Sequence, residues 1–286
     1  MYRPSHIVAF IMTEYSWNVF RYLGDLLHLA SVLVVIGTLA KNKNSRGLSF
    51  KTQLFYLIVF VARYLDLFTA SMSTHATYLY VFKIFYIVSS ASIVFAMRRW
   101  AASIETNKDT CSYVGVMIPC LIAAMISVVT NPAHRTVTMF FWTFSEFLEG
   151  LAMLPQYIFC YRQDAENRRS DRGVFLFILL VGSYRLLYAA NWIYKRIMLG
   201  SAYSDSVSWM GGCIEILLFV DFLTNRDFLK LVVLSIDTKL NEISSQIEMK
   251  VLRKSEPDPD GEFFNVRNRR TNKLGTVEED EAMLMI

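Results

Sequence analysis

The sequence predicts an all-α membrane protein with seven transmembrane helices. Three observations carry that prediction. The 286-residue chain is 54% hydrophobic with mean hydropathy +0.33, and its apolar runs approach the roughly 20 residues a spanning helix needs. Positive charge alternates from loop to loop. One set of loops carries Lys41, Lys43, Arg46 and Lys51, then Arg98, Arg99 and Lys108, then Arg162, Arg168, Arg169 and Arg172. The other set has none at 73–77, Arg135 alone at 130–136, and Lys195 and Arg196 near 195–205. That is the positive-inside pattern of a polytopic protein. Finally, the ionisable residues inside the spans gather almost entirely in one half of the membrane.

The predicted spans are 22–40, 53–72, 76–97, 112–130, 137–160, 173–194 and 206–224. Most are marginal in length and carry polar residues, as expected of helices that enclose a cavity. No signal-peptide shape precedes them: Ile7–Met12 is too short an apolar stretch and no small-residue cleavage site follows. The first span is therefore expected to act as the signal anchor. The odd count puts the termini on opposite sides, and the charge bias puts the N-terminus in the lumen and the C-terminus in the cytosol. Three regions follow: a luminal extension at 1–17, a membrane domain at 18–224, and a cytosolic tail at 225–286. The tail opens with an amphipathic pattern from Phe228 to Val251, broken by Pro257 and Pro259. Arg267, Arg269 and Arg270 then precede the acidic Glu278–Glu281, a composition expected to be disordered.

Each charge near a bilayer centre costs roughly 2.5–3.5 kcal/mol on insertion scales, so a chain that carries many must pair or hydrate them. With the orientation above, each element places its charges by depth. Span one sets Arg21, Asp25 and His28 on one helix face in its outer half, at spacings i, i+4 and i+7. Span two carries Arg63 and Asp66 past its middle, a pair that could satisfy each other, and span three carries Lys83 on the outer side. Span five aligns Trp142, Glu146 and Glu149, again in the outer half. Span six runs Tyr184, Arg185, Tyr188, Asn191, Trp192 and Lys195 from its middle outward. Glu215, mid-way along span seven, and Asp221 near its cytosolic end stand apart. Four non-adjacent helices thus send mixed charge to one depth, the mark of a polar cavity open to the lumen.

The chemistry of that cavity is restricted. Arginine forks suit carboxylates, and Trp142, Tyr184, Tyr188 and Trp192 can flank a lysine or an aliphatic chain. A ligand with several carboxylates and one amine fits. His28 titrates near neutrality, and its protonation adds positive charge, so an anionic ligand should bind more tightly as pH falls. No nucleophile–base pair, metal-ligand spacing or phosphate loop is present, so neither an enzyme nor a cofactor or metal is expected. The four cysteines, Cys111, Cys120, Cys160 and Cys213, have no CxxC spacing and read as small core residues. No basic stretch is interleaved with aromatics as a nucleic-acid groove requires.

The segments Phe20–His28 (FRYLGDLLH) and Ala62–Thr69 (ARYLDLFT), then Trp142-Thr143-Phe144-Ser145, Leu148-Glu149 and Leu154-Pro155-Gln156, resemble the KDEL receptor family, the ER lumen protein-retaining receptors. So do Tyr184-Arg185-Leu186-Leu187-Tyr188 and Asn191-Trp192-Ile193. The resemblance runs in order from about residue 18 to 224. It implies a fold similar to the SWEET and PQ-loop transporters, two three-helix bundles joined by the fourth span, with Pro155-Gln156 as the PQ element. It implies capture of escaped ER-resident proteins in the acidic Golgi by a C-terminal Lys-Asp-Glu-Leu-like tetrapeptide, and release in the neutral ER. It also implies cycling between the ER and cis-Golgi membranes with COPI carriers backward and COPII carriers forward. By the same resemblance, Arg63 and Arg21 clamp the ligand carboxylate, and Asp66 and Trp142 meet its basic residue. Arg185 holds acidic ligand groups and Glu149. His28, Tyr184 and Glu149 form a proton-linked lock, in which protonation favours a close Tyr184–Glu149 bond.

Some positions depart from the family pattern. Met139 stands where an acidic residue is usual, and Glu146 is a carboxylate that could substitute for it. Lys195 stands in place of an arginine, and Asp205 is the nearest equivalent of a luminal aspartate. Arg226, Lys230 and Lys239 are the candidates for a retrograde signal in the tail. The rival reading is a SWEET-like or PQ-loop solute or amino-acid transporter. A sugar path needs few buried charges, and an amino-acid path needs polar access from the cytosol, where spans 22–40, 53–72 and 173–194 are nearly apolar.

Overall fold

A computed structural model describes residues 18–68, 74–130, 136–165, 171–200, 203, 205–224 and eleven residues between 234 and 249. The N-terminal extension, Arg135, Arg168, Arg169, Arg226, Lys230 and the proline- and charge-rich tail beyond 250 lie outside the described residues.

Local chemistry fixes where the helices begin. Helix α1, Val19–Asn42, starts at Asn18, whose side chain accepts from the Arg21 N–H, and stops at Lys43 in the left-handed conformation (φ 49°). Helix α2, Phe50–Arg63, is capped by the Ser49 hydroxyl accepting from Thr52 N–H at 3.1 Å. Helices α3, Thr74–Arg99, and α4, Tyr113–Thr130, follow, the latter carrying Pro119 inside it. Thr136 caps α5, Val137–Ala152, and a break at Met153 separates it from α6, Leu154–Ala165. Pro155 explains that break, because its ring cannot continue the preceding helix and it offers no N–H. Asp171 caps α7, Arg172–Leu199, by accepting from Gly173 N–H at 2.9 Å, and α8 spans Ser206–Thr224. An uncapped helix start leaves N–H groups orphaned, so each such cap is worth about 1 kcal/mol.

Among the described residues, six stretches are long and apolar enough to cross a membrane: Val19–Asn42, Tyr80–Arg99, Tyr113–Thr130, Val137–Asp164, Arg172–Leu199 and Ser206–Thr224. The expected second span, 53–72, is not one continuous helix. Its α-helical part has 14 residues, about 21 Å long against a hydrocarbon core of about 30 Å. It gives way at Tyr64 to a 3₁₀ turn, Leu65–Phe68, with Leu67 N–H bonded to the Tyr64 carbonyl. The expectation of a loop near 195–205 also needs correction: Lys195 and Arg196 lie inside α7, which runs on to Leu199.

The strongest packing pairs α1 with α7, α2 with α5, α5 with α8 and α4 with α5; α3 touches both α1 and α2, and α8 touches both α5 and α7. Between α5 and α8 the backbones nearly touch: a Cβ on Gly150 would lie 2.6 Å from the Gly211 carbonyl oxygen, and one on Gly211 would lie 2.6 Å from that of Glu146. Only glycine permits this approach, which is how helices gain contact where lipid supplies no hydrophobic drive. It brings the Glu146–Glu149 turn against α8.

The end of the bundle where α2 and α4 begin, here the lower end, is closed by polar bonds. Gln156 on α6 accepts from Ser49 N–H at 2.9 Å and donates to the Gly47 carbonyl at 3.0 Å. Asp109, buried in the α3–α4 connection, accepts from the Ser49 hydroxyl and Lys51 N–H; burial holds its carboxyl above the usual range. Burial likewise pushes the neighbouring Cys111 thiol up to about 12. The chain divides into two compact units, Met1–Asn241 and Glu242–Ile286. Within the first, Asp237 accepts from Thr110 at 2.7 Å and pairs with Arg162 at 3.1 Å. In the second, Glu242, Ile243, Ser245, Gln246 and Met249 are helical.

Candidate ligand-binding site

A cavity of about 350 Å³ occupies the upper end of the bundle. Twelve of the residues singled out by sequence form its wall: Arg21, Asp25, His28, Arg63, Lys83, Trp142, Glu146, Glu149, Tyr184, Arg185, Tyr188 and Trp192. Tyr64 and Tyr86 join them. Asn191 and Lys195 are not among its lining residues. Asn191 is buried and accepts from Asn18 at 2.7 Å, while the Lys195 ammonium lies 5.6 Å from the centre of the Tyr203 ring. The side chain of Asp66 lies outside the described residues.

The floor of the cavity is a charge cluster centred on Glu149. Its Oε2 accepts from Arg63 Nη1 at 2.7 Å and forms an ion pair with Arg185 Nη2 at 2.8 Å, and its Oε1 accepts from the Tyr184 hydroxyl at 2.9 Å. Arg63 also donates from Nε to the Ser145 hydroxyl at 3.2 Å, and its Nη2 lies 3.0 Å from Glu146 Oε1. Arg185 donates from Nε to Glu215 Oε2 at 2.5 Å. The cluster thus spans α2, α5, α7 and α8. Each guanidinium fork is shared between carboxylates, the geometry that offsets the cost of taking such charges out of water.

Arg63 pairs with Glu146 and Glu149; its expected pairing with Asp66 falls on a side chain outside the described residues. One sequence expectation changes here. Glu215 does not stand apart but is a full member of the cluster. The signal for Glu215 was present, since a carboxylate in mid-span demands a partner. Depth along the helix concealed it, because the long arginine side chain reaches down across that depth. Asp221 does stand apart, 3.1 Å from the Tyr161 hydroxyl.

His28, buried on α1, stacks on the Tyr184 ring with centroids 4.2 Å apart and planes 3° from parallel; the Tyr86 ring lies 4.8 Å away. The Tyr188 hydroxyl donates to the Asp25 carboxylate. Below His28 a void of about 10 Å³, bordered by Ser31, Gln53, Tyr56 and Ser90, separates this floor from the lower end; a void of that size has room for about one water. Among the described residues no cluster of His, Cys, Asp and Glu could hold a metal ion.

Fold and site together define a helical membrane protein that gathers charge around a cavity at one end of its bundle. The profile of the family described as ER lumen protein retaining receptor matches residues 44–195. The chain is 38% identical over 208 residues to an ER lumen protein-retaining receptor of Petunia hybrida, covering 72% of this chain and 91% of that one. It is 34% identical over 210 residues to one of Plasmodium falciparum (72% and 90%). It is 35% identical over 207 residues to one of Drosophila melanogaster (72% and 91%). The chain belongs to the ER lumen protein-retaining receptor family.

Proposed function

We propose that this protein is a pH-dependent receptor for the C-terminal Lys-Asp-Glu-Leu-like tetrapeptide of luminal ER proteins. It captures escaped proteins in the Golgi and returns them to the ER, and it works by binding, not catalysis. The observation that carries this reading is the wall of one cavity. Arg21, Arg63 and Arg185 face it together with the aromatics Trp142, Tyr188 and Trp192, a set suited to a peptide end that carries carboxylates and an amine. Arg63 and Arg21 take the terminal carboxylate. Trp142 and Asp66 take the basic residue. Arg185 holds the acidic positions, with Asn191 and Lys195 in support.

His28, Tyr184 and Glu149 form the lock. The stacked His28–Tyr184 rings and the Tyr184–Glu149 bond make one contiguous path. A proton on His28 adds positive charge beside that path, so proton and anionic ligand favour the same state, and each must strengthen the other.

In this reading a seventh span is completed by α2 with its 3₁₀ extension. The seven spans form two three-helix bundles joined by α4. Insertion of α3 between α1 and α2, and of α8 between α5 and α7, supports that repeat. The basic lower loops face the cytosol, the N-terminus lies in the lumen, and the tail meets COPI and COPII coats as the protein cycles between ER and cis-Golgi membranes.

The test is binding of a labelled Lys-Asp-Glu-Leu-type peptide to the purified protein at pH about 5.5 and about 7.4, on either side of the reference histidine value. A C-terminally amidated peptide is the control. Tight binding at the lower pH, lost on amidation, is expected. Absence of carboxylate-dependent binding at both pH values across a panel of tetrapeptides would remove the reading.

A further inference from the structure

The cluster at the cavity floor contains an imbalance. Two guanidiniums, Arg63 and Arg185, face three carboxylates, Glu146, Glu149 and Glu215. Glu149 and Glu215 are deeply committed, Glu149 through both oxygens and Glu215 through its 2.5 Å bond. Glu146 is not. Among the described residues its side chain pairs with Arg63 alone. Arg63 Nη2 lies 3.0 Å from Glu146 Oε1, yet the two are too poorly aligned for a hydrogen bond, and that buried nitrogen has no other partner. Glu146 also lines the cavity. A carboxylate that reaches an arginine fork without forming its hydrogen bond is held by charge alone, and a well-aligned carboxylate can take its place.

We propose that Glu146 is a built-in competitor for the seat on Arg63. An incoming peptide carboxylate displaces it, and the displaced carboxylate takes up a proton from the buffered solvent. This rests on the receptor reading above and adds a second proton link to that of His28. Without proton uptake, Glu146 would stay ionised beside Glu149 and the ligand carboxylate after losing its Arg63 partner, and like charges that close in a partly buried site disfavour one another.

The groups that act on Glu146 come from every side. Arg63 comes from α2 and Arg185 from α7, Glu149 lies one turn away on α5, and Asp205 precedes α8. Glu215 approaches from α8 through Arg185. His28 lies on α1 beyond Glu149, and Tyr203 near Asp205. The 3₁₀ turn that carries Asp66 packs on α5, and α4 offers only Tyr113 and Cys120. Of the nearest of these, Arg63 and Arg185 carry charge that attracts the carboxylate, and Glu149 and Asp205 carry charge that repels it. Occupation of Arg63 by ligand removes the larger stabilising charge and tips Glu146 toward its neutral form.

The experiment measures peptide affinity for full-length wild type and Glu146→Gln at pH about 5.5 and about 7.4, with the amidated peptide as control. Proton uptake is read from calorimetry in buffers of different ionisation enthalpy. The glutamine variant should bind on the order of tenfold more tightly at the higher pH, change little at the lower pH, and take up fewer protons. Unchanged or weaker binding at the higher pH overturns the proposal, weaker binding identifying Glu146 as a contact to the ligand's cation instead. Glu146→Leu repeats the test if the glutamine variant folds poorly, and the same outcomes apply. Amidation-sensitive binding by wild type with no effect of either variant sinks this inference alone. Its absence in wild type sinks the receptor reading and this inference with it.

Discussion

Glu149 is the residue on which the site turns, since two guanidiniums and a tyrosine hydroxyl converge on its two oxygens. Replacing it with alanine leaves Arg63 and Arg185 close together with the carboxylate between them gone. Breaking a buried pair in this way typically costs about 3–5 kcal/mol, so Glu149→Ala should show a marked fall in thermal stability in detergent. A melting curve like that of wild type would mean the cluster is hydrated rather than enclosed. Arg63→Ala should abolish carboxylate-dependent peptide binding, and an intact affinity would remove Arg63 from the clamp. His28→Ala should make affinity less sensitive to pH; a titration as steep as that of wild type would remove the histidine from the lock. The sequence made most of these residues legible, because a charge inside an apolar span has to be explained. It did not show the pairing. Hydropathy locates each Cα by depth and face, whereas Arg63 and Arg185 choose among Glu146, Glu149 and Glu215 by side-chain reach.

At the level of elements, the junctions matter more than the spans. The contact between Gly150 and Gly211 leaves no room for a side chain. Gly211→Leu should force α5 from α8, pull Glu149 away from Arg185 and Glu215, and lower both stability and peptide affinity. Retention of both would show that the helices can part without disturbing the cluster. Asp171 caps α7 and also accepts from Asn42 at 3.0 Å, tying the end of α1 to the start of α7. Its Gly173 N–H bond draws its carboxyl below the usual range. A carboxyl depressed in the folded state stabilises above its unfolded value of about 3.9 and loses that effect as pH falls through the folded value. The cap is therefore in force throughout the neutral to mildly acid range. Asp171→Ala should cost about 1 kcal/mol there, read as a small drop in melting temperature that does not vary between pH about 5.5 and about 7.4. Periodicity and composition were enough to place six of the spans. They missed the stop at Arg63, because Tyr64–Phe68 continues an apolar pattern even where the backbone has tightened into a 3₁₀ turn.

For the molecule as a whole, the packing order is the informative quantity. Insertion of α3 between α1 and α2 is echoed by α8 between α5 and α7. No single segment of sequence displays that order, because it is a property of pairs of helices far apart in the chain. The motifs carried its family, and charge patterning supplies the orientation proposed for the bundle. The lower closure came only with coordinates, since the two bonds from Gln156 to Gly47 and Ser49 join residues more than one hundred positions apart.

That closure decides how cargo can come and go. Among the described residues, polar bonds of Gln156 and Asp109 close the base, and the void beneath His28, with room for about one water, is too small for a peptide to pass. Loading and unloading share one mouth. A transporter gains direction by exposing its site first to one side and then to the other; a vessel sealed at its base has no second side to offer. In the receptor reading proposed above, direction comes from the journey of the vessel itself, and the acidity of each compartment decides whether the mouth gives up what it holds.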